Sequence, residues 1–538
     1  MSTPSPPSWP HCGHGADPAT DPVGCPGIHI PGHTACLAHL TDTDRTAYLT
    51  GLAPGASIDH RGTPFTQDLL EALLNALRDP TTNTPHIGNA RFDGARFCGT
   101  AEFGEAWFSG DAWFGRAQFS RTAGFGGARF SGDAWFVGAR FADTAGFIEA
   151  RFSGDAWFGG ARFSGDAWFG GARFSGDAWF GGARFAGDAW FGEARFASTA
   201  GFGGARFSGD AGFGGAQFSG TAEFGEARFS GTARFGGARF SGTAWFDGVQ
   251  FAGNAGFGGA RFEGVPVLGP LVCAGQVMLS GAVFVLPVTL EIAAGEVVCE
   301  QTRWESTATV RVRYATVDLG HAVLTAPTAI VAHPTPFTYG SSTVSEVLLA
   351  GPGPWSRPPE RVRVASVQGV DAAHLVLTDT DLTDCLFSGA FHLDQIRLEG
   401  RTTFTDAPTG WHRRGMRPAH FTRRQVLAEE HHWRAHTAGP GSHGWRPGPH
   451  STDPARTPDP ADVAALYRLL RKAFEDGKNE PGAADFYYGE CEMGVAPLEG
   501  RDELGICQVD RAQRADLPAS AAGRRVRRKQ DQRYGRRK

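Results

Sequence analysis

The chain has 538 residues, too many for one ordinary compact core, so several domains or a repeat array are expected. Its 75 Gly and 41 Phe stand beside only 4 Met and 7 Tyr, and a disordered glycine-rich chain would be poor in aromatics, so plain disorder is excluded. A formal net charge of −5 marks neither a nucleic-acid binder nor an acidic mimic overall.

Residues 1–40 hold Cys12, His14, Cys25, Cys36 and His39. Thiolate and imidazole are zinc's preferred ligands, and a Gly/Pro-rich leader this short has little core of its own, so it reads as a candidate zinc knuckle. The spacing fits no standard finger, and unliganded cysteines in a loosely folded leader are the alternative. The nine cysteines are odd in number and scattered, without a disulfide framework, and the N-terminus lacks a basic start and an apolar stretch. Together these predict a reducing cytoplasm, with a peripheral place at the inner face of the membrane as the alternative.

Residues 41–86 read as a helical N-terminal cap. "TDTDRTAYLTGL" suits a short helix, and "TQDLLEALLNALRDP" an amphipathic one with Leu69, Leu70, Leu73, Leu74 and Leu77 on one face.

From Phe92 to Phe262, 32 phenylalanines follow one another at alternating spacings of five and six, and alanine stands two residues earlier in 31 cases, Val249 being the exception. In an extended A-x-F triplet the first and third side chains share a face while the middle one points away. A glycine-containing corner then turns the chain, because glycine accepts positive φ. Triplet and corner repeated give a solenoid with Ala and Phe inside, each buried Phe contributing roughly 1.5–3 kcal/mol before entropy is subtracted.

After each five-residue step the outward residue is Arg in 12 of 16 cases. One ladder includes Arg140, Arg162, Arg184 and Arg206, the other Arg129, Arg151, Arg173 and Arg195. On the alternate faces Trp113, Trp135, Trp157, Trp168, Trp179 and Trp190 hold the outward position, the last four reading as one tryptophan row. Stacked arginines repel unless anions intervene, and the corner acids Asp155, Asp166, Asp177 and Asp188 are expected to intervene.

The phase continues through Leu268, Cys273, Leu279, Phe284 and Leu290, so the uncharged stretch 265–290 is solenoid and not a membrane helix. An irregular excursion is expected over 326–369. The β-helix, running over 87–325, is expected to resume over 370–406 with Leu382, Phe387, Leu393, Leu398 and Phe404. Residues 407–459 form a His/Arg/Pro-rich linker; there His432 and His436, near Glu429, offer a metal pair, against a solvated helix face as the favoured reading. A helical segment is expected over 460–490, with Asp459 as N-cap, Pro460 at the first position, an apolar stripe of Val463, Leu466, Tyr467, Leu470 and Phe474, and Gly477 as its end. Residues 491–538 read as a basic, disordered tail ending in "GRRVRRKQDQRYGRRK".

The A-x-F-x-G unit resembles the pentapeptide repeat family, whose consensus has a small residue followed two positions later by Leu or Phe. The resemblance implies a mainly β fold, a right-handed quadrilateral β-helix of four faces and about 22 residues per coil. "DPVGC", "HTACLAHL", "IDHRGT" and "ADFYYGE" are similar to a bacterial subset in which the helical segment leads into a membrane region; here the pattern stops after Glu490. The family's acidic members imitate DNA and bind gyrase. Residues 90–262 carry 16 Arg against 16 Asp plus Glu, so that role is disfavoured.

No P-loop and no Gly-x-Ser-x-Gly elbow is present, and identical coils offer no asymmetric pocket. The expected function is a non-enzymatic scaffold engaging a protein partner, or a second copy of itself, through the Arg and Trp ladders. Nucleic acid or anionic lipid, bound through the ladders and the basic tail, is the alternative.

Overall fold

The computed structural model describes residues 6–17, 19–350, 361–414, 417–421, 423–437, 444–448 and 457–495. It divides into a unit Met1–Thr405 and a unit Asp406–Lys538.

The first unit is a parallel β-solenoid. From Ala90 to Phe262 each short strand pairs with the one 22 residues on, as in Ala156↔Ala178 and Trp157↔Trp179. Four strands make one coil. We number the faces from the strand Ala156–Trp157 (face 1), through Arg162–Phe163 (face 2) and Ala167–Trp168 (face 3), to Arg173–Phe174 (face 4). Amides on faces 1 and 3 donate forward, Ala156 N to Asp177 O at 2.8 Å, while those on faces 2 and 4 donate backward, Arg162 N to Ala139 O at 2.8 Å. Every coil is thereby tied to both neighbours.

Alternation along each triplet explains the filling. Every repeat Ala and Phe from Ala90 to Phe262 is buried. Phe136 stacks on Phe158 at 4.8 Å and 1°, and the rings of faces 1 and 3 meet edge to face, Phe158 to Phe169 at 5.4 Å and 90°. Both arrangements suit the ring quadrupole.

The two corner types need glycine for different reasons. Gly160, in the short corner, has φ +63°, a region open to it because it lacks a Cβ. Gly187, in the long corner, has ordinary φ, but a Cβ there would lie 2.7 Å from the Gly165 carbonyl group of the coil before.

The ladder starts earlier than the clean repeat. Ile58–Asp59 pairs with Ala90–Arg91, and Pro64–Phe65 with Arg96–Phe97. The segment expected to be a helical N-terminal cap therefore holds both expected helices and, beside them, strands of the first coil. Its helices are α1 (Asp42–Thr50) and α2 (Gln67–Ala76), with α2 inserted between two strands of that coil. Thr66 caps α2, and Leu70, Leu73 and Leu74 are buried.

Past Phe262 the core column continues through Phe284, Trp304 and Leu324, all buried. The corner between faces 2 and 3 is absorbed into longer strands here. The strand Val267–Met278 pairs with both Val249–Phe251 on face 2 and Ala255–Gly256 on face 3. Gly275 and Gly295 keep the corner glycine there, with Gln276 and Glu296 in the aspartate's place, and the pairing of the two strands shifts register between Cys273 and Gln276.

Much of the expected excursion also belongs to the ladder: Thr328–Ala332 pairs with Ala308–Val312 and with Leu375–Thr378, and Arg363–Ser366 pairs with Thr316–Asp318. Between them, among the described residues, only 333–350 leaves the coil. Phe337 and Leu349 bury themselves against Val272 and Ala293, and Arg313 pairs with Glu346 at 2.6 Å.

The second unit holds α3 (Ala428–Thr437), α4 (Pro460–Asp476) and α5 (Glu480–Val495). In α4 Asp459 accepts from Ala461 N at 2.8 Å, and the stripe Val463, Leu466, Tyr467, Leu470 and Phe474 is buried. α5 runs to Val495, into the segment expected to be disordered; the rest of the basic tail lies outside the described residues. The face of α3 is only partly solvated. Glu429, Glu430 and His431 are buried, and Glu430 binds Arg424 and Arg434, each at 2.6 Å, with the Tyr467 hydroxyl donating to it as well. His432 is half-buried and His436 exposed, and neither joins a metal-ligating cluster among the described residues. No described helix is long and apolar enough to cross a membrane.

Candidate functional site

The leader folds back on itself and onto the first coil. Cys12 N donates to Gly27 O at 2.8 Å and Cys25 N to His14 O at 3.0 Å, while Ile28 N reaches Arg61 O at 2.8 Å. Gly27 permits the closest approach, since a Cβ there would lie 2.8 Å from Cys36 Sγ. The short 3-10 turn Leu37–His39 then carries His39 back towards Cys36.

These backbone moves bring Cys12, Cys25, Cys36 and His39 together, with all four ligand atoms within 4.8 Å of one another. Cys25 and Cys36 Sγ are 3.8 Å apart, and His39 Nδ1 lies 3.4 Å from both Cys12 and Cys36 Sγ. Tetrahedral zinc with its usual bond lengths sets an S···S edge of about 3.8 Å and an S···N edge of about 3.5 Å. The donor set and its spacing fit a divalent, thiolate-preferring metal. His14 does not join the set; its ring stacks on that of His39 at 4.1 Å.

The protons are distributed accordingly. The Cys36 hydrogen bond holds the Cys25 thiol well below its ordinary value, while that same bond, burial and the neighbouring thiols push Cys36 up. A second negative charge in this cluster needs a cation beside it.

The outward residues form straight columns. On face 2 Arg140, Arg162, Arg184 and Arg206 pair in register, and on face 4 Arg129, Arg151, Arg173 and Arg195 do so. All eight are exposed, with no ion pair or side-chain hydrogen bond to any described residue.

The corner acids do something other than neutralise them. Asp155 Oδ1 accepts from Asp177 N, and Asp133 Oδ1 from Asp155 N, each at 2.9 Å; Asp166 Oδ1 takes Asp188 N at 3.0 Å. Each carboxylate satisfies an amide in the next coil, which a corner would otherwise leave unpaired. Asn89 and Asn254 do the same for Asp111 and Gln276. Recurrence of Asp every 22 residues, with Asn89 in phase before one column and Asn254 in phase after the other, was the available sequence signal.

The tryptophans form two columns, not one row of four. Trp135, Trp157 and Trp179 stack on face 1, the last pair at 5.8 Å, whereas Trp168 and Trp190 stack on face 3 at 6.1 Å. They lie flat along the rod: a Cβ on Gly201 would stand 2.6 Å from Trp179 Cε3, and one on Gly212 2.4 Å from Trp190 Cε3. Trp157, Trp179 and Trp190 are half-buried, Trp168 more open.

Residues 125–173, 169–217 and 213–261 match the family model described as pentapeptide repeats (9 copies). No curated protein and no solved structure matches the chain.

Proposed function

We propose that this pentapeptide-repeat solenoid is a non-catalytic scaffold that binds a protein partner along its arginine columns. The supporting observation is eight exposed guanidinium groups in strict register that make no ion pair with any described residue. Neighbours on strands about 4.8 Å apart repel by roughly 1 kcal/mol even in water, and carboxylates from outside relieve that. Arginine also offers a planar fork for carboxylate. The flat tryptophans supply stiff walls between the columns. Neutral balance across the coils argues against a duplex mimic and gives nucleic acid or anionic lipid no long-range attraction. Capture from native extract, with wild type against R140Q/R162Q/R184Q/R206Q, tests the reading. Loss of a salt-sensitive partner is expected; retention of every specific partner refutes it.

The Cys12, Cys25, Cys36 and His39 cluster is read as a structural zinc site, on the strength of its donor set and of three ligand–ligand distances near those of tetrahedral zinc. Zinc would supply the charge that holds three thiolates together, pinning the leader to the first coil; a reducing, cytoplasmic setting keeps those thiols available. Elemental analysis of the purified full chain should give about one zinc per chain, falling below about 0.3 in C25S/C36S; a wild-type value that low rejects the site.

A further inference from the structure

We infer that the partner of the arginine columns is a second copy of this chain, lying beside the first and pointing the same way. The inference rests on the scaffold reading and names its partner.

Each arginine column is flanked, around one long corner, by a column of half-buried aspartates. Arg151 and Arg173 on face 4 are followed by Asp155 and Asp177; Arg162 and Arg184 on face 2 are followed by Asp166 and Asp188. One oxygen of each aspartate is committed to the next coil's amide, which leaves Oδ2 to accept from elsewhere. The chain demonstrates this use once. Where an arginine happens to occupy the outward position of face 3, at Arg234, its Nη1 meets Asp210 Oδ2 at 2.9 Å while Asp210 Oδ1 still caps Thr232 N at 2.9 Å. The same corner therefore holds its fold and a guanidinium together.

The surface to be matched is thus a positive column and a negative column side by side, Arg129, Arg151 and Arg173 with Asp133, Asp155 and Asp177 on one edge, and Arg162, Arg184 and Arg206 with Asp166, Asp188 and Asp210 on the other. A flexible polyanion matches only the first column and is repelled by the second. A second solenoid of this chain matches both over the three successive coils that carry Arg and Asp together, because its pitch is the same. Symmetry fixes the direction. A two-fold axis parallel to the rods lays Arg on Asp along both columns, whereas a two-fold across the rods lays Arg on Arg. Parallel rods are the complementary arrangement. The eleven-residue half-repeat gives faces 2 and 4 equivalent edges, so each rod carries two such surfaces. An arginine reaching in also comes beside the indoles bordering the aspartates, and Arg91 over Trp113 at 4.9 Å is that contact within one chain.

Sedimentation of the full chain is the test. At about 50 mM salt a species of at least twice the 57.2 kDa chain mass is expected, reverting to single chains near 500 mM. Two variants are each expected to stay single at both salts without loss of thermal stability: R129Q/R151Q/R173Q/R195Q combined with R140Q/R162Q/R184Q/R206Q, and D133N/D155N combined with D166N/D188N. The latter keeps every amide cap and removes only charge. Energy transfer between N-terminal labels should be strong in the associated wild type. A single chain at low salt, association indifferent to both variants, or weak transfer in an associated sample overturns the inference. A single chain whose arginines still capture another protein overturns it while leaving the scaffold reading intact.

Discussion

Gly201 and Gly212 show how one missing atom arranges a surface. The indoles of Trp179 and Trp190 occupy the space a Cβ would fill in the next coil, so each tryptophan column ends on a glycine and lies flat. Gly201→Ala is expected to lift the Trp179 indole, costing on the order of 1–3 kcal/mol and red-shifting the tryptophan emission; an unshifted spectrum would show that the indole is not seated there. His60 is another single-residue case. It fills a phenylalanine slot in the first coil, fully buried, where desolvation pushes its pKa down from 6.5 to about 4. The unfolded chain then binds the extra proton between those values, so stability is present above pH 6.5 and is lost as pH falls towards 4. At the lower end the loss approaches roughly 3 kcal/mol. His60→Phe should remove that share of the acid sensitivity; an unchanged stability profile between pH 6.5 and 4 would refute it.

At the scale of elements, the long corner is the unit that carries information. Its aspartate performs for a coil what an N-cap performs for a helix, accepting an amide that the turn leaves unpaired. Asp155→Asn keeps the acceptor, as Asn89 and Asn254 already show, and is expected to be nearly neutral in a denaturant titration. Asp155→Ala should cost about 1 kcal/mol. Equal midpoints for the two would mean that the cap contributes nothing. The Asp177 carboxyl, held low chiefly by the Ser198 hydroxyl, contributes stability above its ordinary range that is lost on acidification. In the second unit, α3 and α4 share a buried charge network instead. Arg424, Glu430, Arg434 and Glu492 close it, and Tyr467 both donates to Glu430 and accepts from Leu427 N. Glu430→Gln leaves two arginines short of charge and is expected to destabilise that unit by several kcal/mol.

Across the whole solenoid unit, stability is a sum over neighbouring coils, so its start and its middle should respond to different agents. Chelation at the leader is expected to raise amide hydrogen exchange over residues 12–40 and in the first coil, while Ala150–Phe207 stays protected. Uniform loss of protection would contradict this nearest-neighbour picture. The period itself was legible in the sequence: Ala and Phe at fixed spacing dictate which side chains point inward, and the family resemblance supplied four faces and a 22-residue coil. The apolar stripe of α4 and the persistence of the phase through Phe284 were legible for the same reason, since periodicity is a local property of the chain. Partnership was not. Which acid caps which amide, why His14 stacks while Cys12 joins the cluster, and whether four tryptophans make one row or two are decided 22 residues or more away along the chain. Glu430 looks like a solvated helix residue until Arg424 and Tyr467 close over it. The sequence alone determined the repeat and its inward face; tertiary stacking decided which polar groups are spent inside the rod and which are left to face outward.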